Sequence, residues 1–307
     1  MEIKEQYNLS QVTRFGIGGP ADYFISASNL DELKEAWSFA AQEQIPFVVI
    51  GEGSNLLVSD AGYRGLVIQI SLKRIEWDIE KFTVTAGAGV NLLELIAQAA
   101  ARGFAGMENM YGIPGNIGAA VYGNVGAYGA EIKDILVSAT FWNGAELKTF
   151  NNNECRFEYR TSIFKEHKDW IVVEARFQLR PGVDAELIAK CQDVMAQREV
   201  KYPVGMKCPG SYFKNIKVAS LTDDQKAAIQ PFAEKIKGGK LASGILIQAA
   251  GGTGLAIGDA KVAEYHGNLI YNDGHATAAE VRSLAEKIKA LVSAKFGIAI
   301  EEEVQYL

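Results

Sequence analysis

The chain has 307 residues, 48% of them hydrophobic and 22% charged, with 31 Lys and Arg against 37 Asp and Glu for a formal net charge of −6. That much apolar material excludes intrinsic disorder, and the mild acidity excludes the broad Lys/Arg surface on which nucleic-acid binding rests. The length allows one large domain or two to three smaller ones, each with its own core. Glycine fills 31 positions, roughly 10% against about 7% in average proteins. Cys155, Cys191 and Cys208, with His167, His266 and His275, are scattered without metal-ligand spacing, so reduced thiols and no metal site are expected. The first ten residues hold Glu2, Lys4 and Glu5 and no apolar run, unlike a signal peptide.

In chain order, residues 29–43 read as a helix capped by Asn29, with Asp31 and Glu32 in its first turn. Apolar runs at 47–50, 66–70 and 82–85 read as buried strands. Asn91 caps a helix through Ala101 that Gly103 stops. Residues 109–130 and 241–258 carry no charge, yet their glycines, with Pro114 and several Asn, rule out continuous membrane-spanning helices. Ile135–Trp142 and Trp170–Leu179 are β-branched and aromatic strands, ended by Pro181-Gly182. Residues 184–200 and 220–237 are helix-prone, the former with Asp184 as cap. Thr277 to Glu280 forms a capping box before an amphipathic helix that Gly297 stops. The last residues alternate as a strand, with Ile298, Ile300, Val304 and Tyr306 on one face and Glu301 and Glu303 on the other.

Five segments can carry chemistry. Gly51-Glu-Gly53-Ser54-Asn55-Leu56-Leu57 follows a strand and supplies close backbone N–H groups suited to phosphate oxygens, but it matches neither the dinucleotide fingerprint nor a P-loop. In Gly112 to Gly129, Pro114-Gly115 is a turn, and a short helix starting near Asn116 offers its first N–H groups to an anion. In Cys155 to Lys165, alternation puts Arg156, Glu158 and Arg160 on one strand face, either a solvated charged face or a clamp for carboxylate or phosphate. Ser211 follows Pro209-Gly210 on a turn without a nucleophile elbow. Glu303 sits in an acidic run that is either solvated or aimed into a site.

Taken together and in order, these segments resemble the UDP-N-acetylenolpyruvoylglucosamine reductase (MurB) family. The resemblance runs from Thr13-Arg-Phe-Gly-Ile-Gly-Gly19 through the 51–57 loop, Gly112-Ile-Pro-Gly115, Asn124-Val-Gly-Ala-Tyr-Gly129 and Tyr159-Arg160-Thr-Ser162-Ile-Phe-Lys165. It continues through Gly210-Ser211-Tyr-Phe-Lys-Asn215 to Glu303-Val304, nearly the whole chain. One departure precedes the serine, where Cys208-Pro209 replaces the more usual Ser-Ala.

The resemblance implies an α+β, FAD-binding fold of the vanillyl-alcohol-oxidase-like (PCMH) type. Residues 1–71 and 72–182 would be the two flavin subdomains, 183–297 the substrate domain and 298–307 a strand returning to the flavin domains. It implies NADPH-dependent reduction of a UDP-sugar enolpyruvate in peptidoglycan precursor synthesis. FAD would lie against Gly51, Gly53, Ser54, Asn55, Leu56, Ile113, Pro114, Gly115, Gly118, Asn124, Gly126, Ala127 and Tyr128. The flavin would be non-covalent, since residues 51–57 hold no histidine. Arg160 matches the arginine that stabilises enolate charge, Ser211 the proton donor, and Glu303 the glutamate that shares a proton near the substrate carboxylate. Tyr122, Lys214 and Asn215 are the expected substrate contacts. A monomeric, cytoplasmic bacterial enzyme is expected. The alternative is another non-covalent flavin oxidoreductase of the same fold.

Overall fold

The computed structural model describes residues 2–307. Met1, where the first expected subdomain begins, lies outside the described residues. The chain forms two compact units. The first comprises the N-terminal segment to Tyr7, Ala21–Gly53 and Tyr63–Val200, and the second Asn8–Pro20, Ser54–Gly62 and Lys201–Leu307.

The first unit holds two larger sheets, besides two-stranded pairings. Strands β1 (Lys4–Asn8), β2 (Pro20–Ala27), β3 (Phe47–Ile50) and β4 (Tyr63–Ile70) form one, in the order β1-β2-β4-β3, with β2, β4 and β3 parallel. Helix α1 (Leu30–Gln42) makes the crossover from β2 to β3. The Asn29 side chain accepts the Glu32 N–H, so the helix starts where the sequence places it. Leu33, Ala36 and Ala40 form its buried stripe. Leu66, Val67 and Ile68 of β4 are all fully buried, as a parallel strand flanked on both sides requires.

The second sheet is antiparallel: β5 (Ile75–Asp78), β6 (Thr83–Gly87), β7 (Leu136–Trp142), β8 (Leu147–Asn151) and β9 (Ile171–Gln178), in the order β8-β7-β9-β6-β5. Here burial alternates at Ala139 and Phe141 of β7, and a register shift after Leu136 buries that residue as well. The Phe141 ring stacks on Trp170 at 4.8 Å and meets Phe150 and Phe164 edge-on. Helices α2 (Leu92–Ala100), α3 (Ile117–Tyr122) and α4 (Asp184–Glu199) also belong to the unit.

The second unit packs helix α5 (Ser243–Ala249), the antiparallel strands β10 (Ala256–Ile257), β11 (Ala260–Val262) and β12 (Ile270–Asn272), and the long helix α6 (Ala278–Phe296) around one core. On α6, Val281, Leu284, Ala285, Ile288 and Val292 are buried, and the Thr277/Glu280 capping box is formed. The Asp60 carboxylate accepts the N–H groups of Ala278 and Ala279 at 2.7 and 3.0 Å, a charge well matched to a helix N-terminus.

Some expectations give way. The 220–237 stretch is a short helix, Asp223–Ile229, followed by a tighter 3₁₀ turn over Gln230–Lys235, because Pro231 cannot donate to a continuing helix. The chain end is not one alternating strand. Only Gln305–Tyr306 pairs as a strand, parallel to Leu56–Leu57. Ile298, Ile300 and Val304 are buried as expected, but Tyr306 is 40% exposed.

The three cysteines are buried and unpaired. Burial pushes the Cys155 thiol up to about 12 and the Cys191 thiol up to about 11, and it raises Cys208 too. Thiolate is the reactive form. The expected result is that a thiol-specific reagent at neutral pH labels none of the three until denaturant is added, as intact-mass measurement would reveal.

Candidate active site

The loop after β3 opens with Gly51. A Cβ at this position would lie 2.5 Å from Asn116 Oδ1, so glycine lets the Asn116 side chain sit directly against the loop backbone. Asn116 is 2% exposed, and its side chain accepts the Ala119 N–H at 3.0 Å while donating to the Ile70 carbonyl. It therefore caps α3 and ties it to β4. Gly51→Ala is expected to destabilise the protein by about 1–3 kcal/mol through this overpacking, measured by chemical denaturation.

The short helix at Asn116 is present, but its first N–H groups are not offered to an anion. Ile117 donates to the Val90 carbonyl at 2.9 Å, Gly118 to Ala88 at 2.8 Å, and Ala119 to the Asn116 side chain. The Gly118 N–H is thus not available to an anion, and a Cβ here would meet Ala88 Cβ at 2.9 Å. The donors left over lie in the loops. Gly53 (φ +60°) and Gly115 (φ +122°) donate their N–H groups to no acceptor within the chain, among the described residues. The Glu52 carboxylate accepts twice from Asn91 Nδ2, at 2.8 and 3.0 Å. Ile113 closes a turn onto Met110, and Pro114 leads into Gly115.

Residues 155–165 form no strand, because Arg156 (φ +48°) and Arg160 (φ +58°) both turn through the left-handed region. The shared strand face is therefore corrected. Arg156 pairs outward with Glu166 at 2.9 Å. Tyr159-Arg160 forms a tight turn, closed by reciprocal backbone bonds between Glu158 and Thr161. Three contacts hold it. Lys165 Nζ donates to the Arg160 carbonyl at 2.7 Å, Arg160 Nη2 donates to the Gly126 carbonyl at 3.0 Å, and the guanidinium lies over the Tyr159 ring.

Asn124 is fully buried. It donates to the Glu158 carbonyl and to Glu131, and accepts the Lys133 N–H. Its side chain is thus spent on anchoring this turn to the Gly126–Ala127/Ala130–Glu131 hairpin, with Tyr128 at the tip. The Tyr122 carbonyl accepts the Ser162 hydroxyl, its ring lies beneath Lys165, and burial raises its phenol.

In the second unit, Ser211 and Glu303 are brought together from 92 residues apart. The Glu303 N–H donates to the carbonyl of Tyr212, the residue after Ser211, at 2.8 Å. Asn55 Nδ2 donates to the Glu303 carbonyl at 3.0 Å, and the Asn55 carbonyl accepts from Gln305. Leu56 continues this contact as a strand. One partner of Ser211 and one of the residues after it were not legible in the sequence. Tyr202 Oη lies 2.8 Å from Ser211 Oγ. Asn268, 3% exposed, clamps the serine loop by accepting the Phe213 N–H and donating to its carbonyl. Lys214 is held in an ion pair with the exposed Glu301 at 3.0 Å, and Asn215 follows it towards Ile216–Lys217.

Comparison with known proteins agrees with these two groupings. Residues 21–146 match the model of an FAD binding domain, and residues 202–307 match that of the UDP-N-acetylenolpyruvoylglucosamine reductase C-terminal domain. The UDP-N-acetylenolpyruvoylglucosamine reductase of Solibacter usitatus is 42% identical over 97% of this chain and 95% of its own. That of Carboxydothermus hydrogenoformans is 39% identical over 99% and 94%. The crystal structure of the Thermus caldophilus reductase superposes with a TM-score of 0.77 at 28% identity, covering 99% of this chain and 98% of that one. 6-Hydroxy-D-nicotine oxidase from Arthrobacter nicotinovorans, at TM-score 0.57 and 14% identity, shares the fold alone. The fold is the α+β, FAD-binding, vanillyl-alcohol-oxidase-like (PCMH) type. With identity above 40% sustained along almost its whole length, the chain belongs to the UDP-N-acetylenolpyruvoylglucosamine reductase family.

Proposed function

We infer that this protein is the FAD- and NADPH-dependent enzyme that reduces UDP-N-acetylglucosamine enolpyruvate to UDP-N-acetylmuramate in peptidoglycan precursor synthesis. The observation that carries this reading is the full-length identity to reductases of that name.

The chain's own residues fit the flavin cofactor. Gly53 and Gly115 offer backbone donors at positions where φ is positive, and two neighbouring phosphates need such donors and little side-chain bulk. The one carboxylate in the 51–57 loop, Glu52, keeps its charge but is turned towards Asn91, from whose Nδ2 it accepts two hydrogen bonds. We propose that Gly51, Gly53, Ser54, Asn55, Leu56, Ile113, Pro114, Gly115, Gly126, Ala127 and Tyr128 line the cofactor, with Gly118 and Asn124 acting as its structural support. When bound, FAD supplies the hydride taken from NADPH.

The remaining chemistry falls to side chains. We propose that Arg160, held in a strained turn by Lys165 and Gly126, stabilises the negative charge that develops toward the substrate carboxylate. Ser211 donates the proton to the carbon bearing the ether oxygen, and Glu303 attends the carboxylate from the same unit. Tyr122, Lys214 and Asn215 remain the proposed substrate contacts. The two larger sheets of the first unit support reading 1–71 and 72–182 as flavin subdomains, and we propose 183–297 for the substrate and 298–307 as the returning segment. No helix among the described residues is long and apolar enough to cross a membrane. We propose a monomeric cytoplasmic bacterial enzyme.

The purified protein is expected to be yellow, to release its flavin on acid precipitation, and to oxidise NADPH only when the enolpyruvyl sugar nucleotide is added. A protein without that activity after flavin reconstitution would contradict the reading. Flavin retained on the precipitate would favour a different oxidoreductase of the same fold.

A further inference from the structure

We propose that Tyr202 is a positioning residue for Ser211: its phenol donates a hydrogen bond to the serine oxygen and replaces the proton that the serine gives up. This rests on the reading of Ser211 as proton donor. The observation is the 2.8 Å contact between Tyr202 Oη and Ser211 Oγ, in which either oxygen can donate.

The chemistry chooses the direction. A serine hydroxyl has one proton. If Ser211 donates it to Tyr202, nothing remains to give the substrate carbon. If Tyr202 donates, the serine proton is directed elsewhere, and negative charge growing on Oγ meets a donor already in place.

The energetics agree. A phenol has a pKa of about 10, whereas the oxygen of an alkoxide is a far stronger base. Proton transfer from Tyr202 to a nascent Ser211 alkoxide is therefore downhill. The Ser211 O–H bond breaks as the new C–H bond forms, the Tyr202 O–H bond breaks as the serine O–H bond re-forms, and the phenolate recovers a proton from water.

The surroundings hold the ring in place. Tyr202 packs on the buried cluster of Cys208, Ala263 and Leu269, and its ring lies 5.8 Å from that of His266. His266 is itself biased to the neutral form by burial, and its Nδ1 is buried without a hydrogen-bond partner. The Pro203 and Gly210 turns bracket the intervening loop, and Asn268 fixes its far side at Phe213. The hydroxyl pair thus joins two independently anchored segments.

The test is Tyr202→Phe in the flavin-loaded enzyme, with Ser211→Ala beside it. The oxidised flavin spectrum and its perturbation by the enolpyruvyl substrate report folding and binding, and both are expected unchanged in Tyr202→Phe. In anaerobic stopped flow, flavin reduction by NADPH is expected at the wild-type rate. Reoxidation by substrate is expected to slow by roughly 10–100-fold. In mixtures of H₂O and D₂O, the wild-type reoxidation rate is expected to fall along a curve, as two protons move. That of Tyr202→Phe should fall along a line, as one does. Wild-type reoxidation in Tyr202→Phe, with Ser211→Ala inactive, would overturn the proposal and leave Ser211 as donor. Slowed reoxidation with an unchanged curve would reduce Tyr202 to packing and also overturn it. Full activity in Ser211→Ala would remove the donor assignment and the proposal together.

Discussion

Ser211→Ala is expected to be reduced by NADPH at the wild-type rate and to form product roughly 10²–10⁴-fold more slowly, the range that a positioned general acid contributes. The split is the informative part. Ser211 sits in a loop whose backbone is held by Asn268 and by the terminal segment, not by its own hydroxyl. Removing one oxygen therefore leaves the fold intact, and the loss falls on the step that needs a proton. Anaerobic stopped flow, with each half-reaction followed separately, checks this. A variant slow in both half-reactions would mean that the serine positions something earlier in the cycle. A variant slow in neither would move the proton donor elsewhere.

Arg160→Lys carries the second large effect. An ammonium keeps the charge, but it is a compact point donor without the planar fork of a guanidinium. Arg160 bonds the Gly126 carbonyl while lying over Tyr159, and a lysine, whose three donors all sit on one nitrogen, cannot span from that anchor to an enolate as the planar fork does. A fall in kcat of roughly 10²–10³-fold is expected, as when one oxyanion donor is removed. KM for the sugar nucleotide should change far less, because the charge develops only in the transition state. Steady-state kinetics with varied substrate separates the two. A rise in KM at constant kcat would make Arg160 a ground-state binding residue instead.

Much of the architecture was legible locally. Asn29, Asn91, Asn116 and Thr277 cap helices through their own side chains, a signal confined to three or four residues. The apolar run of β4 marks a strand buried on both faces. β1 was not legible, since Lys-Glu-Gln-Tyr-Asn has no strand signature and its place comes from the sheet. Helix α5 begins at Ser243-Gly244 without a side-chain cap, inside a glycine-rich stretch.

The site divides in the same way. Alternating charges at 156–160 imitated a strand, while the left-handed turn at Arg160 is set by Lys165, Asn124 and Gly126, which no local pattern reveals. The N-terminus of α3 looked open to an anion only because Ala88 and Val90, which take its N–H groups, are distant in sequence. Ser211 and Glu303 were found through the family resemblance. Tyr202 and Asn268 carried no motif, and only the fold places them against the serine loop.

The most direct measurement takes the purified enzyme anaerobically, bleaches its flavin with one equivalent of NADPH, and then adds UDP-N-acetylglucosamine enolpyruvate. The expected result is return of the oxidised flavin spectrum without oxygen, with UDP-N-acetylmuramate formed in proportion. Flavin that stays bleached until air is admitted would contradict the assignment of this chain as the enolpyruvyl reductase.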